Sequence, residues 1–211
     1  MVPTREEWQQ ALEGRYGKDL TRRFASATVA VCGLGGLGSN IAIALARAGV
    51  GRLRLVDFDR VDLTNLHRQQ YKAGQIGRFK TEALAENLGE IAPHLQIEPV
   101  TQRLTRENLG ENLAGADIVC EAFDDPVGKA MLTDGVLETL PGVCLVAASG
   151  MAGMGSPNAI RTRKITDRFF LCGDGVSEAA GTMGLVAPRV MLCAAHQAHT
   201  VLRLLAGETD A

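Results

Sequence analysis

Between residues 28 and 149, short apolar runs alternate with stretches whose apolar residues recur every three to four positions. The runs TVAVCG (28–33), RLRLVDF (52–58), LQIEPV (95–100), DIVCEAF (117–123) and VCLVAAS (143–149) have the length of strands. The helical period falls between them, over about 36–48, 78–91, 105–113 and 126–140. Strand, helix, strand in this rhythm predicts an α/β fold, a Rossmann-like and mainly parallel sheet with helices on both faces. After Gly150 the rhythm changes. NAIRTRKIT and RFFLC read as extended segments with no helix between them and predict an antiparallel C-terminal extension. CGDGVSEAAGTMG (172–184) reads as a loop, and APRVMLCAAHQAHTVLRLL (187–205) as a closing amphipathic helix with Pro188 in its first turn and Gly207 as its stop. Arg5 to Phe24 is expected to be helical.

The 211 residues suit a single domain over 1–211, with an N-terminal helical segment at about 4–25, a nucleotide-binding core at about 28–150 and an extension with the closing helix at about 151–207. A net charge of −2 argues against a broad nucleic-acid surface, and no apolar run reaches membrane-spanning length. The expectation is therefore a cytoplasmic protein with no nucleic-acid or membrane partner. Five cysteines (Cys32, Cys120, Cys144, Cys172, Cys193) form no CxxC pair, so no zinc is expected; only Cys172 sits among glycine and charge. His196 and His199, one helical turn apart, lack an acidic or cysteine partner near them in sequence.

Gly33, Gly35 and Gly38 form GxGxxG between a predicted strand and a predicted helix, with Gly36 inside the motif. Such glycines permit a tight turn and close approach of a ligand, and the N–H groups of the helix start favour an anion. Asp57 ends the next strand, where a carboxylate can accept hydrogen bonds from ribose hydroxyls. NAD is the default occupant of such a site, but DFDRVDLTNLHRQ follows, and a dehydrogenase has no obvious use for it.

GLGGLGS, AGVGRLRLVDFD, NLHRQ, IGRFK and GLVAPRV…HQAHTVLRLLAG together resemble the ThiF/MoeB/HesA group of the ubiquitin-activating-enzyme-like superfamily, in that family's order. EAFDDPVGKAML, ASGMAGMGSPNAIRTRKI and LCGDGVSEA are most similar to its compact ThiF-type subgroup. The resemblance implies an enzyme that uses ATP and Mg²⁺ to adenylate the C-terminal glycine carboxylate of a ThiS-like, ubiquitin-fold sulfur carrier in thiamine thiazole synthesis, releasing pyrophosphate. It implies that Asn65, Arg68, Gln69 and Lys80 line the triphosphate, that Asp57 holds the ribose, and that Asp124 helps to hold Mg²⁺, with Asp59 and Asp125 as support. Charge that develops at the α-phosphate calls for such cations and a metal. Taken singly, Arg68 and Lys80 would pass as surface charges, Asn65 as a turn residue, and Asp124 and Asp125 before Pro126 as a helix cap. Their arrangement at successive strand ends makes them a site.

The family also implies a homodimer in which an N-terminal arginine reaches the neighbouring subunit's ATP; the RY context favours Arg15 over Arg22 and Arg23. Two features depart from the family. The zinc CxxC pairs are missing, and the sulfur-handling cysteine has its counterpart near Ala180, leaving Cys172 either as a relay thiol or as a buried structural one. Three rivals stand beside thiamine-carrier activation: adenylation of another carboxylate, such as a molybdopterin carrier or a modified tRNA base; an NAD(P)-dependent oxidoreductase; and a non-catalytic adaptor that retains ATP.

Overall fold

The structure, a computed structural model, describes residues 2–178 and 184–210. Part of the loop expected at 172–184, including Ala180, lies outside the described residues. Helices α1 (Arg5–Tyr16) and α2 (Lys18–Ser26) lead into β1 (Thr28–Cys32), α3 (Gly36–Ala48), β2 (Arg52–Val56), α4 (Lys80–Ile91), β3 (Gln96–Val100), α5 (Arg106–Leu113), β4 (Ile118–Glu121), α6 (Pro126–Thr139) and β5 (Cys144–Ala148). Strands β6 (Arg161–Thr166) and β7 (Phe169–Gly173) precede the long α7 (Ala187–Ala206). The expected single N-terminal helix is broken at Gly17, whose φ of +80° lies outside helical space. The break lets α2 bury Thr21 and Phe24 while α1 buries no residue.

Seven strands form one sheet in the order β3-β2-β1-β4-β5-β7-β6. All neighbours are parallel except β6 and β7, so the expected α/β fold with an antiparallel extension is the fold observed. The extension is attached more closely than the sequence suggests, because β7 pairs in parallel with β5 and only β6 runs backwards. Proline is confined to sheet edges by its missing N–H, and Pro99 lies in the edge strand β3.

Strand β1 shows how the two layers are made. Val29 and Val31 point into a core with Ile41 and Leu45 of α3, Leu84 and Leu88 of α4, and Val190 and Val201 of α7. Ala30 and Cys32, on the opposite face, join Leu109 and Leu113 of α5 and Leu132 and Val136 of α6. A strand buried on both faces reads as a continuous apolar run, as TVAVC does. Strand order reverses between β1 and β4, and in open α/β sheets a ligand crevice opens at the carboxyl ends of the strands beside such a reversal.

Candidate active site

A cavity of about 840 Å³ occupies that crevice. The ends of four strands line it, with Gly33 after β1, Val56 and Asp57 at β2, Ala122 to Asp124 after β4 and Ala148 to Gly150 at β5. Gly33 turns the chain with φ +90°, and its N–H donates to Val56 O at 2.8 Å. The turn lets α3 start almost on top of β1: a Cβ on Gly38 would stand 1.8 Å from Gly33 O. No side chain caps α3, so the N–H groups of its first turn are left for an anion.

Asp57 braces this turn. Its Oδ2 accepts the N–H of Leu34 at 2.6 Å and its Oδ1 the N–H of Asp59 at 2.8 Å. Burial pushes the carboxyl up, while Lys80 and the two N–H groups pull it down; burial prevails. The expected ribose ligand is thus also a structural strut, with a second lone pair on each oxygen still open. Tyr71, which sequence reasoning missed, donates from its buried hydroxyl to Leu34 O at 2.7 Å.

NLHRQ begins at the last residue of a short 3₁₀ turn, Leu63–Asn65, capped by Asp62. Asn65 O receives the N–H groups of both Arg68 and Gln69, and Asn65 Oδ1 receives Arg68 Nη2 at 3.1 Å. This turn is sewn to α3. Ser39 Oγ accepts the N–H of Gln70, Asn40 Nδ2 donates to Gly36 O and Arg68 O, and Gln70 Nε2 donates to Asn40 Oδ1. Arg68 Nε and Gln69 Oε1 are buried without a partner among the described residues, although buried polar atoms are nearly always satisfied. Lys80 opens α4 with its side chain only 7% exposed, and its Nζ donates to Asp59 Oδ2 at 2.9 Å.

Gly33, Gly35, Gly36, Asp57, Asp59, Asn65, Arg68, Gln69, Lys80, Asp124 and Asp125 therefore share one cavity, while Gly38 sits behind it. The adjacent aspartates separate in role. Asp125 Oδ2 accepts the N–H of Gly128 and caps α6, whereas Asp124 is exposed with no hydrogen bond or ion pair among the described residues. Next to them, Lys129 pairs with the buried Glu121; neither residue was singled out from the sequence.

Cys172 and the N-terminal arginines lie away from this chain's own cavity, and the expected contact of Arg15 is with a neighbouring subunit. Cys172 lies in β7, not in a loop, and is fully buried. Burial pushes its thiol up against hydrogen bonds with Thr162 and Thr200, so a thiolate is disfavoured there. The neighbouring glycines made the segment look like a loop; pairing with β5 and β6 makes it a strand. Arg15 is exposed on α1, and α1 lies against the first residues of β1, β2 and β3, the end of the sheet opposite the glycine turn. Arg23 is tied to Ala206 O, and Arg22 lies near Asp19. His196 contacts Thr162 Oγ1, and no group of three or more His, Cys, Asp or Glu that could hold a metal occurs among the described residues. None of the described helices is long and apolar enough to cross a membrane.

A family model described as the ThiF family matches residues 9–211. The chain is 30% identical over 215 residues to adenylyltransferase and sulfurtransferase UBA4 of Yarrowia lipolytica, covering 92% of this chain and 52% of that protein. It is 37% identical over 119 residues to tRNA threonylcarbamoyladenosine dehydratase of Haemophilus influenzae, covering 56% of this chain and 46% of that protein. The chain thus spans about half the length, or less, of the curated relatives it matches. In fold it is similar to the E. coli tRNA N6-threonylcarbamoyladenosine dehydratase TcdA in complex with ATP, with a TM-score of 0.86, 22% identity and 98% of each chain covered.

Proposed function

The chain belongs to the ThiF family, and from that premise we propose that it is an ATP-dependent adenylyltransferase that activates a carboxylate on a macromolecular substrate. The observation that carries this reading is Arg68 Nε, a buried guanidinium donor without a partner among the described residues, on a residue that lines a cavity walled by the uncapped start of α3 and by Lys80. An unmet guanidinium donor beside a second cation, Lys80, suits an anionic ligand with more charge than a dinucleotide's pyrophosphate carries. This favours ATP over NAD(P).

In the reaction, a carboxylate oxygen bonds to the α-phosphorus as the bond to the β-phosphate oxygen breaks, so an acyl adenylate and pyrophosphate form. Arg68 offers a planar fork and Lys80 a point charge to the phosphate oxygens, and the α3 N–H groups add dipoles that need no reorganisation. Asp124, unpaired at the rim, and Asp59 are the residues that would hold Mg²⁺, which fits because this ion is commonly bound by one or two carboxylates plus substrate phosphates. When bound, the ion would neutralise charge on the leaving pyrophosphate.

Among the substrates weighed, a carboxylate on a modified tRNA base has more support than a ThiS-like carrier. A tRNA dehydratase stands among the relatives, whereas the names of those described above do not mention thiamine. The net charge of −2 had argued against nucleic acid, but it averages over the whole chain, and the edge strand β6 exposes Arg161 and Arg163 on one face. Sulfur transfer, part of the UBA4 name, finds no exposed thiol here: Cys144 is half-buried and the other four cysteines are buried. ATP–pyrophosphate exchange, measured with unfractionated tRNA and separately with ubiquitin-fold carriers, tests the reading. Exchange with tRNA alone supports it, exchange with a carrier alone returns the carrier reading, and NAD binding without ATP binding overturns both.

A further inference from the structure

Two lysines line the nucleotide cavity, and their surroundings set them apart. Lys80 Nζ reaches one carboxylate, that of Asp59. Lys129 Nζ donates to both oxygens of Glu121, at 3.0 and 2.8 Å, and to Phe123 O at 2.9 Å. An ammonium has three N–H donors, so these acceptors use them all and leave none for a phosphate oxygen. Glu121, whose side chain is 1% exposed, also accepts the N–H of Phe123 at 2.7 Å, and Gln197 of α7 donates to its carbonyl oxygen at 3.0 Å. On the far side of Asp124, Asp125 is fixed as the cap of α6 and its carbonyl accepts the N–H of Lys129. Every one of these bonds falls just before or just after Asp124, and none involves its carboxylate.

Stability alone does not explain the pair, since burying two charges is costly and apolar residues of similar volume often do as well. What the pair adds is direction. We propose that Glu121 and Lys129 are positioning residues, their ion pair holding the turn between β4 and α6 so that Asp124 stands at one place on the cavity rim. The proposal rests on the adenylyltransferase reading for what Asp124 does there, but not for the lock itself.

The test uses Lys129→Met, Glu121→Gln and the double variant Glu121→Met/Lys129→Met. Amide hydrogen exchange of the ligand-free chain should rise about tenfold in the peptide 121–127 of Lys129→Met, with 33–39 and 63–70 unchanged. By calorimetry, ATP affinity without Mg²⁺ should stay near wild type, while the Mg²⁺ concentration that half-saturates its effect on ATP binding should rise about 10–100-fold, as for loss of a residue that orients a metal ligand. The double variant should recover thermal stability without recovering slow exchange or the Mg²⁺ response. Metal-free ATP affinity falling as far as in Lys80→Met would make Lys129 a phosphate ligand. Wild-type exchange at 121–127, or joint recovery of stability and Mg²⁺ response in the double variant, would reduce the pair to core filling. Should Lys129→Met fail to fold, Glu121→Gln carries the same readouts. If the wild-type chain binds no ATP, the adenylyltransferase reading fails while the exchange measurement still decides the lock.

Discussion

Alanine at each glycine of the turn should separate folding from ligand binding. A Cβ on Gly33 would lie 2.7 Å from Ala122 O and 2.8 Å from Ala122 C, and the residue sits at φ +90°. Left-handed backbone costs about 1–2 kcal/mol for a non-glycine residue. Overpacking against backbone that cannot yield adds about 1–3 kcal/mol. Gly33→Ala should therefore lose about 2–5 kcal/mol, which for a chain of this size lowers the thermal midpoint by roughly 4–20 °C. Gly38→Ala should do more damage, since its Cβ would stand 1.8 Å from Gly33 O. Gly35→Ala is the contrasting case. Its φ is −73°, and the nearest heavy atom to its Cβ is Gln69 Nε2 at 3.7 Å, an ordinary contact. The added methyl enters the cavity where an anion would approach the start of α3. Gly35→Ala should unfold within a few degrees of wild type yet bind ATP about tenfold more weakly, a loss near 1.4 kcal/mol. Differential scanning calorimetry and ATP titration check both halves. The reasoning fails if Gly33→Ala keeps the wild-type midpoint, or if Gly35→Ala keeps wild-type ATP affinity.

Arg68→Ala and Lys80→Met should each slow ATP–pyrophosphate exchange on the order of 10²–10³-fold with the fold retained, as expected for loss of one preorganised donor; far-ultraviolet circular dichroism and the exchange assay check this. A homodimer with Arg15 crossing to its neighbour predicts that Arg15→Ala and Lys80→Met chains, each nearly inactive, regain up to half the activity per mixed dimer, and full subunit exchange without recovery would exclude the crossing. Asp174 supplies a pH signature. Burial pushes its carboxyl up, but the N–H groups of Ser177 and Val176 and the Arg189 guanidinium outweigh it and hold the group at about 2. Because the folded value lies below the unfolded one, the stabilisation is full above about pH 4 and is lost as pH falls toward 2, amounting to about 2 kcal/mol. Asp174→Asn should be less stable at pH 7 and show a shallower acid loss between pH 4 and 2 in urea titrations.

The fold was legible because each layer leaves a periodic trace: TVAVC is buried on both faces, and α3 and α7 carry apolar stripes toward it. The cavity-lining residues were legible for a different reason, since Gly33, Asn65, Arg68 and Lys80 belong to motifs that end or follow strands. What holds them was not. The partners of Tyr71 and Gln70 lie 37 and 30 residues away in sequence, and no local pattern marks such bonds. Glu121 was hidden in an apolar run, where its neighbours say strand and only the folded chain brings Lys129 to it. Cys172 misled in the opposite sense, as its glycine-rich surroundings suggested a loop where sheet pairing makes a strand.

The ion pair of Asp59 and Lys80 sets a problem for any triphosphate that enters, and its solution is the last prediction. With its side chain 7% exposed, Lys80 needs a partner, and Asp59, half exposed, provides one. A phosphate approaching Lys80 meets the Asp59 carboxylate 2.9 Å away from the same ammonium, so like charges oppose entry. A divalent cation beside Asp59 would remove that opposition and let each charged group keep an opposite neighbour. Nucleotide and Mg²⁺ should then strengthen each other's binding, reciprocally, by a coupling of about 1–3 kcal/mol. Asp59→Asn removes the repulsion without removing the hydrogen-bonding side chain. It should bind metal-free ATP more tightly than wild type and gain less from added Mg²⁺. Calorimetric titrations at fixed ionic strength measure both quantities, and the association of Mg²⁺ with ATP in solution is common to the two chains and cancels between them. If Asp59→Asn instead weakens metal-free ATP binding, Asp59 serves to hold Lys80 in place, and the coupling must come from Asp124.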